Sequence, residues 1–123
     1  MKYYLLIIIV VSLSSCYSPQ RDCDNFKIGR YKYEALVDGS LEKTIFVRSD
    51  SLQIEIYKGK TDTSKIRWLN DCEFILTPVN PKSILDQYQI HMKILNTTSN
   101  SYRFEYNVVG ETQKETGIAI KIK

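Results

Sequence analysis

The stretch Tyr102-Arg103-Phe104-Glu105-Tyr106-Asn107-Val108 alternates apolar and polar side chains without a break. Successive side chains of an extended chain point to opposite faces, so Tyr102, Phe104, Tyr106 and Val108 share one face of a strand. The same period recurs outward from it. Tyr88, Ile90, Met92 and Ile94 alternate with Gln89, His91 and Lys93, and Ile118, Ile120 and Ile122 alternate with Ala119 and Lys121. Towards the N-terminus, Leu52, Ile54 and Ile56 alternate with Gln53, Glu55 and Tyr57. Each reads as a half-buried strand whose apolar set faces a core.

Turn residues separate these strands at short intervals: Asp38-Gly39, Ser49-Asp50-Ser51, Gly59 to Thr63, Asn70-Asp71, Asn96 to Asn100, and Gly110 to Lys114. Asp38-Gly39 is the sharpest, because a two-residue type I′ turn needs positive φ at both central positions. Eight segments result, over about 26 to 36, 41 to 48, 52 to 57, 64 to 69, 72 to 77, 88 to 95, 101 to 108 and 115 to 122. The reading is an all-β fold, an antiparallel meander closing into a small lipocalin-like barrel, filled by side chains or holding one small ligand. Phe26 and Ile28 are out of phase with Tyr31, Tyr33 and Ala35, which predicts a bulge around Gly29 and Arg30. Residues 78 to 87 hold two prolines and at most a short helical turn.

Seventeen basic side chains against 14 acidic ones, scattered along the chain, give no basic stripe of the kind that binds nucleic acid. The first residues carry a different signal. Lys2 precedes the apolar run Leu5 to Val11, which ends in Ser12, Ser14 and Ser15. That run is too short to span a bilayer, so it reads as the core of a secretory signal. Leu13-Ser14-Ser15-Cys16 resembles the lipobox of bacterial lipoproteins. The resemblance implies cleavage before Cys16 and acylation of that cysteine with lipid such as palmitate. The expected organisation is a signal peptide over 1–15, a lipidated tether over 16–25 and a barrel domain over 26–123. The location it implies is the cell envelope, anchored in the outer membrane, and the lack of an acidic run directly after Cys16 favours its periplasmic face.

With Cys16 committed to lipid, Cys23 and Cys72 form an even pair in an oxidising compartment and are expected to be a disulfide. Such a link stabilises a small domain by roughly 2 to 4 kcal/mol. It also shortens the free tether to at most ~20 Å of extended chain.

Two further resemblances concern the domain. Gly29-Arg30-Tyr31 stands where lipocalins carry Gly-x-Trp, with tyrosine replacing tryptophan. Asp22-Cys23-Asp24-Asn25-Phe26 and Ile66-Arg67-Trp68-Leu69-Asn70-Asp71-Cys72-Glu73 resemble stretches of small lipoproteins from Bacteroidota-type bacteria. Short proteins of that group are sometimes labelled DNA topoisomerase IV. Such an enzyme needs a far longer chain and DNA-facing charge, whereas this chain carries an export signal.

Candidate sites are few. His91 is the single histidine, and its alternation with Met92 places it on the solvent face, with no paired nucleophile. No Gly-x-Ser-x-Gly elbow occurs, and Cys23, Cys72 and His91 match no zinc spacing. Asp22, Asp24, Asp71 and Glu73 flank the two cysteines, so a disulfide would gather four carboxylates. They read either as a rim neutralised by Arg21, Lys65 or Arg67 or as oxygen ligands for calcium. Tyr31, Tyr33, Trp68, Tyr102 and Tyr106 are the candidate ligand-lining side chains, with core filling as the alternative. No catalytic residue, cofactor or resident metal is expected. The expected role is a non-enzymatic binding module for a small molecule or an envelope protein. The alternative is a periplasmic inhibitor resembling lysozyme inhibitors, with a plugging loop at Lys58 to Thr63 or Asn96 to Asn100.

Overall fold

A computed structural model describes residues 21–81 and 87–123. The expected signal peptide, Cys16 and most of the expected tether lie outside the described residues, as do residues 82–86 of the proline-flanked stretch. Eight strands follow in chain order: β1 (Gly29–Val37), β2 (Ser40–Arg48), β3 (Leu52–Tyr57), β4 (Lys60–Asn70), β5 (Glu73–Pro78), β6 (Ile90–Thr97), β7 (Ser101–Val108) and β8 (Glu115–Lys121). Each pairs antiparallel with the next and β8 returns to β1, so the meander closes into the expected barrel. Among the described residues no helix is long and apolar enough to cross a membrane.

The hairpins fix which side chains share the interior. Val37 pairs with Ser40 across Asp38 and Gly39, whose φ angles are 51° and 81°, as a type I′ turn requires. Lys58 and Gly59, at φ 47° and 73°, make a second two-residue turn between Tyr57 and Lys60. Residues 60 to 63 therefore belong to β4 and form no loop.

The phase break near Gly29 is not a bulge. The β1–β2 register runs unbroken from Gly29 opposite Arg48 to Val37 opposite Ser40. Phe26 instead ends a 3-10 turn, Cys23–Phe26, that precedes the strand, so the two apolar sets belong to different elements. The register shifts that do occur lie between Trp68 and Asn70 in β4 and between Ile94 and Asn96 in β6.

That 3-10 turn plugs one end of the barrel, and its Cys23 and Phe26 join the core. Phe26 is 1 % exposed and packs edge-on against Tyr102 at 5.4 Å between centroids. Cys23 and Cys72 are joined by a disulfide, which ties the plug to the β4–β5 turn. Lys121 Nζ donates to the Asn25 carbonyl at 2.7 Å, and Arg21 Nη2 to the Ile94 carbonyl at 2.8 Å. The opposite end, where the two tight hairpins lie, carries no such plug among the described residues.

Two strands present the face opposite to the one expected. In β7 and β6 the apolar sets do face inward, with Tyr102, Phe104 and Ile94 buried. In β3, Gln53 is 3 % exposed while Leu52 and Ile56 stand 38 % and 39 % exposed on the outer wall. In β8, Ala119 is fully buried while Ile118 is 57 % exposed. The cause is volume. The rings of Tyr31, Tyr33, Phe46, Phe74, Tyr102 and Phe104 crowd the interior toward the plugged end and beside Gly117 and Ala119. Small or polar side chains must fill the remaining inward positions. A Cβ at inward Gly117 would stand only 2.6 Å from Tyr33 Cε2 and 2.7 Å from Phe104 Cζ. The displaced aliphatic residues pair across strands on the outside, Ile45 with Ile56 and Val47 with Ile54.

Candidate functional site: an open cavity above a buried arginine

The inward phase of β2 places Phe46 and then Arg48 in the core. Arg48 is 1 % exposed. Its Nε donates to Gln53 Oε1 at 3.1 Å, its Nη1 to the Phe26 carbonyl at 2.7 Å, and its Nη2 to the Tyr102 hydroxyl at 2.7 Å. The guanidinium lies 4.6 Å from the Phe74 ring centroid and 5.2 Å from that of Tyr31. A buried charge without a carboxylate against it is costly. Here ring faces, a carbonyl and a hydroxyl compensate it. Burial pushes the Tyr31 hydroxyl up to about 12. It raises the Tyr102 hydroxyl too, against the pull of Arg48.

Above this layer the interior is open. A cavity of about 290 Å³ has Arg48 and Gln53 at its floor and Tyr33, Phe46, Met92, Phe104, Tyr106 and Glu55 among its walls. A recess of about 410 Å³ shares Glu55, Leu76 and Ile90 with it and continues to Asp62 and Tyr88. Both lie toward the end of the barrel away from the plug.

Glu55 is the ionisable side chain of the cavity wall. Gln53 Nε2 donates to Glu55 Oε1 at 2.9 Å, which completes a chain from Arg48 through Gln53 to Glu55. Burial raises the Glu55 carboxyl above its ordinary range, with the Gln53 hydrogen bond pulling it down, Asp62 pushing it up and Arg48 lowering it. Asp62 stands directly opposite Glu55 across the β3–β4 ladder.

Of the five aromatic side chains expected to line a ligand site, the structure brings Tyr33 and Tyr106 to the cavity wall. Tyr31 and Tyr102 are sealed around Arg48 at 0 % and 1 % exposure. Trp68 lies against Phe74 at 4.6 Å with Lys27 over its ring at 5.2 Å, outside the cavity lining. Arg48, Gln53 and Glu55 were not expected there. The signal for Arg48 is its i+2 spacing from Phe46, which puts it in core phase. Gln53 and Glu55 follow once the short Ser49-Asp50-Ser51 turn sets Gln53 opposite Arg48.

The carboxylates around the disulfide are dispersed among other partners. Lys27 Nζ lies 3.1 Å from Asp71 and 3.4 Å from Asp24, while Asp22 accepts from Asn25 Nδ2. Glu73 meets His91 Nε2 at 3.2 Å and Asn70 Nδ2 at 2.6 Å. The Asn70 hydrogen bond, with His91 and Lys93 nearby, holds Glu73 below the usual carboxylate range. Lys27 therefore neutralises Asp24 and Asp71, and Glu73 is held by Asn70 and His91, in place of Arg21, Lys65 or Arg67. Among the described residues no three such side chains are placed to hold a metal ion. The two cysteines are bonded to each other, so neither offers a thiolate to zinc. His91 sits on the outer wall, opposite Ile75 and Asn107 in the ladders, half-buried beside Glu73.

Comparison with protein-family models, with curated proteins and with solved structures finds no match to this chain.

Proposed function

We propose that this chain is an exported lipoprotein of the bacterial cell envelope, held on the periplasmic face of the outer membrane by lipid on Cys16. In this reading its barrel binds a small molecule and catalyses no reaction. The observation that carries the reading is the cavity, about 290 Å³ and walled by aromatic side chains, open at the end opposite the plug. That volume is at the small end of the range for ligand pockets, which are concave, mainly apolar and furnished with a few polar groups. The position of Arg21 at the plugged end supports the same picture. A tether leaving there turns the mouth away from the bilayer. His91 and Glu73 meet on the outer wall, away from the cavity, which supports a binding role over acid–base chemistry.

A second reading, docking of an envelope protein, is favoured by the outer wall, where Ile118 and Ile122 are 57 % and 43 % exposed. The inhibitor alternative gains no such support. Lys58 to Thr63 is a tight hairpin, and only Thr98, Ser99 and Asn100 separate β6 from β7, so neither projects a plugging loop.

Titration with 2-phenylethanol, a small neutral aromatic, tests the cavity. Saturable one-to-one binding that Thr44→Trp removes by filling the wall is the expected result. No saturable binding, or binding indifferent to Thr44→Trp, overturns the carrier reading. Cys16→Ser tests the anchor. Release into the soluble fraction is expected, because the apolar leader is too short to hold the chain in a membrane. Continued membrane retention overturns it.

A further inference from the structure

We propose that the cavity selects organic cations, taking a protonated amine against Glu55 with its apolar body among Tyr33, Phe46, Met92, Phe104 and Tyr106. The inference rests on the reading of the barrel as a small-molecule carrier and names the class of molecule carried.

Two charged side chains border the cavity, and their accessibility differs. Arg48 is 1 % exposed and its three donor nitrogens each have a protein acceptor. At the cavity floor it therefore shows almost no surface to a ligand anion. Glu55 has one oxygen bonded by Gln53. No buried side-chain oxygen among the described residues lacks a partner, so the second Glu55 oxygen keeps some exposure, on a residue that lines the cavity. No ion pair to Glu55 forms among the described residues. The cavity thus shows an incoming molecule an acceptor that has no cation of its own.

The walls match the same chemistry. Ring faces carry negative potential and attract an ammonium group placed over them. Tyr33 and Phe104 meet at 5.5 Å, and Phe104 and Tyr106 at 5.8 Å, so consecutive rings line one side. Carboxylates near the cavity add to the negative potential, although Lys43, Lys58 and Lys60 stand on the hairpins at the same end. Asp62 opposes Glu55 on β4, and Glu115 lies beside Tyr106 and Ile90 on β8. Glu42 on β2 is already paired with Lys58 at 3.2 Å. Asp62, with no ion pair among the described residues, adds to the attraction of Glu55 for a cation. The charge of a bound ammonium would also oppose the effect of burial on Glu55 by favouring its ionised form.

Calorimetric titration of the full chain at neutral pH with 2-phenylethylamine, 2-phenylethanol and 3-phenylpropionate tests this, the three sharing one aromatic body. The amine is expected to bind at least about tenfold tighter than the alcohol and the carboxylate weaker than either. Glu55→Gln should bring the amine-to-alcohol ratio close to one. Equal binding of amine and alcohol to the native protein overturns the cation inference and leaves the carrier reading standing. Tightest binding by the carboxylate overturns it in favour of Arg48 as the ligand's partner. An amine preference that survives Glu55→Gln overturns the assignment to Glu55. If none of the three binds, both readings fall together.

Discussion

Gln53 lies directly opposite Arg48 across the β2–β3 ladder and accepts a hydrogen bond from its Nε at 3.1 Å. This pairing closes the floor of the cavity, because it holds the guanidinium flat among the rings while Phe26 caps it from the plug. Removing Arg48 leaves the Phe26 carbonyl and the Gln53 amide oxygen buried without a donor. Arg48→Met, which keeps the length and loses the fork, is expected to cost about 2 to 4 kcal/mol by urea denaturation. Arg48→Lys should recover little of this, because one ammonium cannot reach three divergent acceptors. A neutral Arg48→Met would show that the floor is held by ring packing alone.

Glu55 gives stability a pH dependence opposite to that of an ordinary paired carboxylate. Its folded-state proton affinity is raised, chiefly by burial, so the folded state binds the proton more tightly than the unfolded chain. The cost of ionising it is absent below the unfolded value of about 4.3 and is complete above the raised folded value. Glu73, held low by Asn70, contributes with the opposite sign and loses its contribution as pH falls. Comparison with Glu55→Gln separates the two. The variant should match the native protein at acidic pH and exceed its denaturation midpoint at neutral pH. A native protein more stable than Glu55→Gln at neutral pH would contradict the burial argument.

Phe104 and His91 separate the inner from the outer wall. Phe104 is 6 % exposed and touches Tyr33, Tyr102 and Tyr106, so Phe104→Ala should cost roughly 3 to 5 kcal/mol. His91 meets only a half-buried Glu73 on the outer wall, and His91→Ala should cost under about 1 kcal/mol. Thermal midpoints of the two variants check the order. The reverse order would mean that β6 presents its other face to the core.

The disulfide spans 49 residues and fastens the plug. Cys23→Ser is expected to lower stability by roughly 2 to 4 kcal/mol, chiefly by freeing the unfolded chain. It should also loosen the floor, so that backbone amides of residues 23–26 exchange faster than those of β7. Protection of these amides unchanged in Cys23→Ser would show that Phe26 and Arg48 hold the plug without it.

The fold was legible because period-two alternation and turn residues mark where strands begin and end, and Asp38-Gly39 states its turn type outright. The cavity was legible only in part. Alternation in Leu52 to Tyr57 divides the side chains into two sets without saying which set faces in. Aromatic rings crowding the cavity floor then exclude the branched set and admit Gln53, and Glu55 follows in the same phase at the cavity wall. Ala119 is chosen over Ile118 for the same reason. Phe26 misled because its neighbours read as strand, whereas Cys23–Phe26 turns across the barrel end under the disulfide. Tyr31 and Tyr102 share a phase with Tyr33 and Tyr106, and only depth along the strand separates sealed rings from open ones.

The most direct test asks which wall of the barrel meets a ligand. Methyl resonances of Met92 and Ile90 report on the cavity, and those of Ile118 and Ile122 on the outer face. Titration of methyl-labelled protein with 2-phenylethylamine is expected to move Met92 and Ile90 along one saturable curve and leave Ile118 and Ile122 in place. Movement of Ile118 and Ile122 with Met92 stationary would contradict a ligand-binding interior and make the outer wall the binding surface.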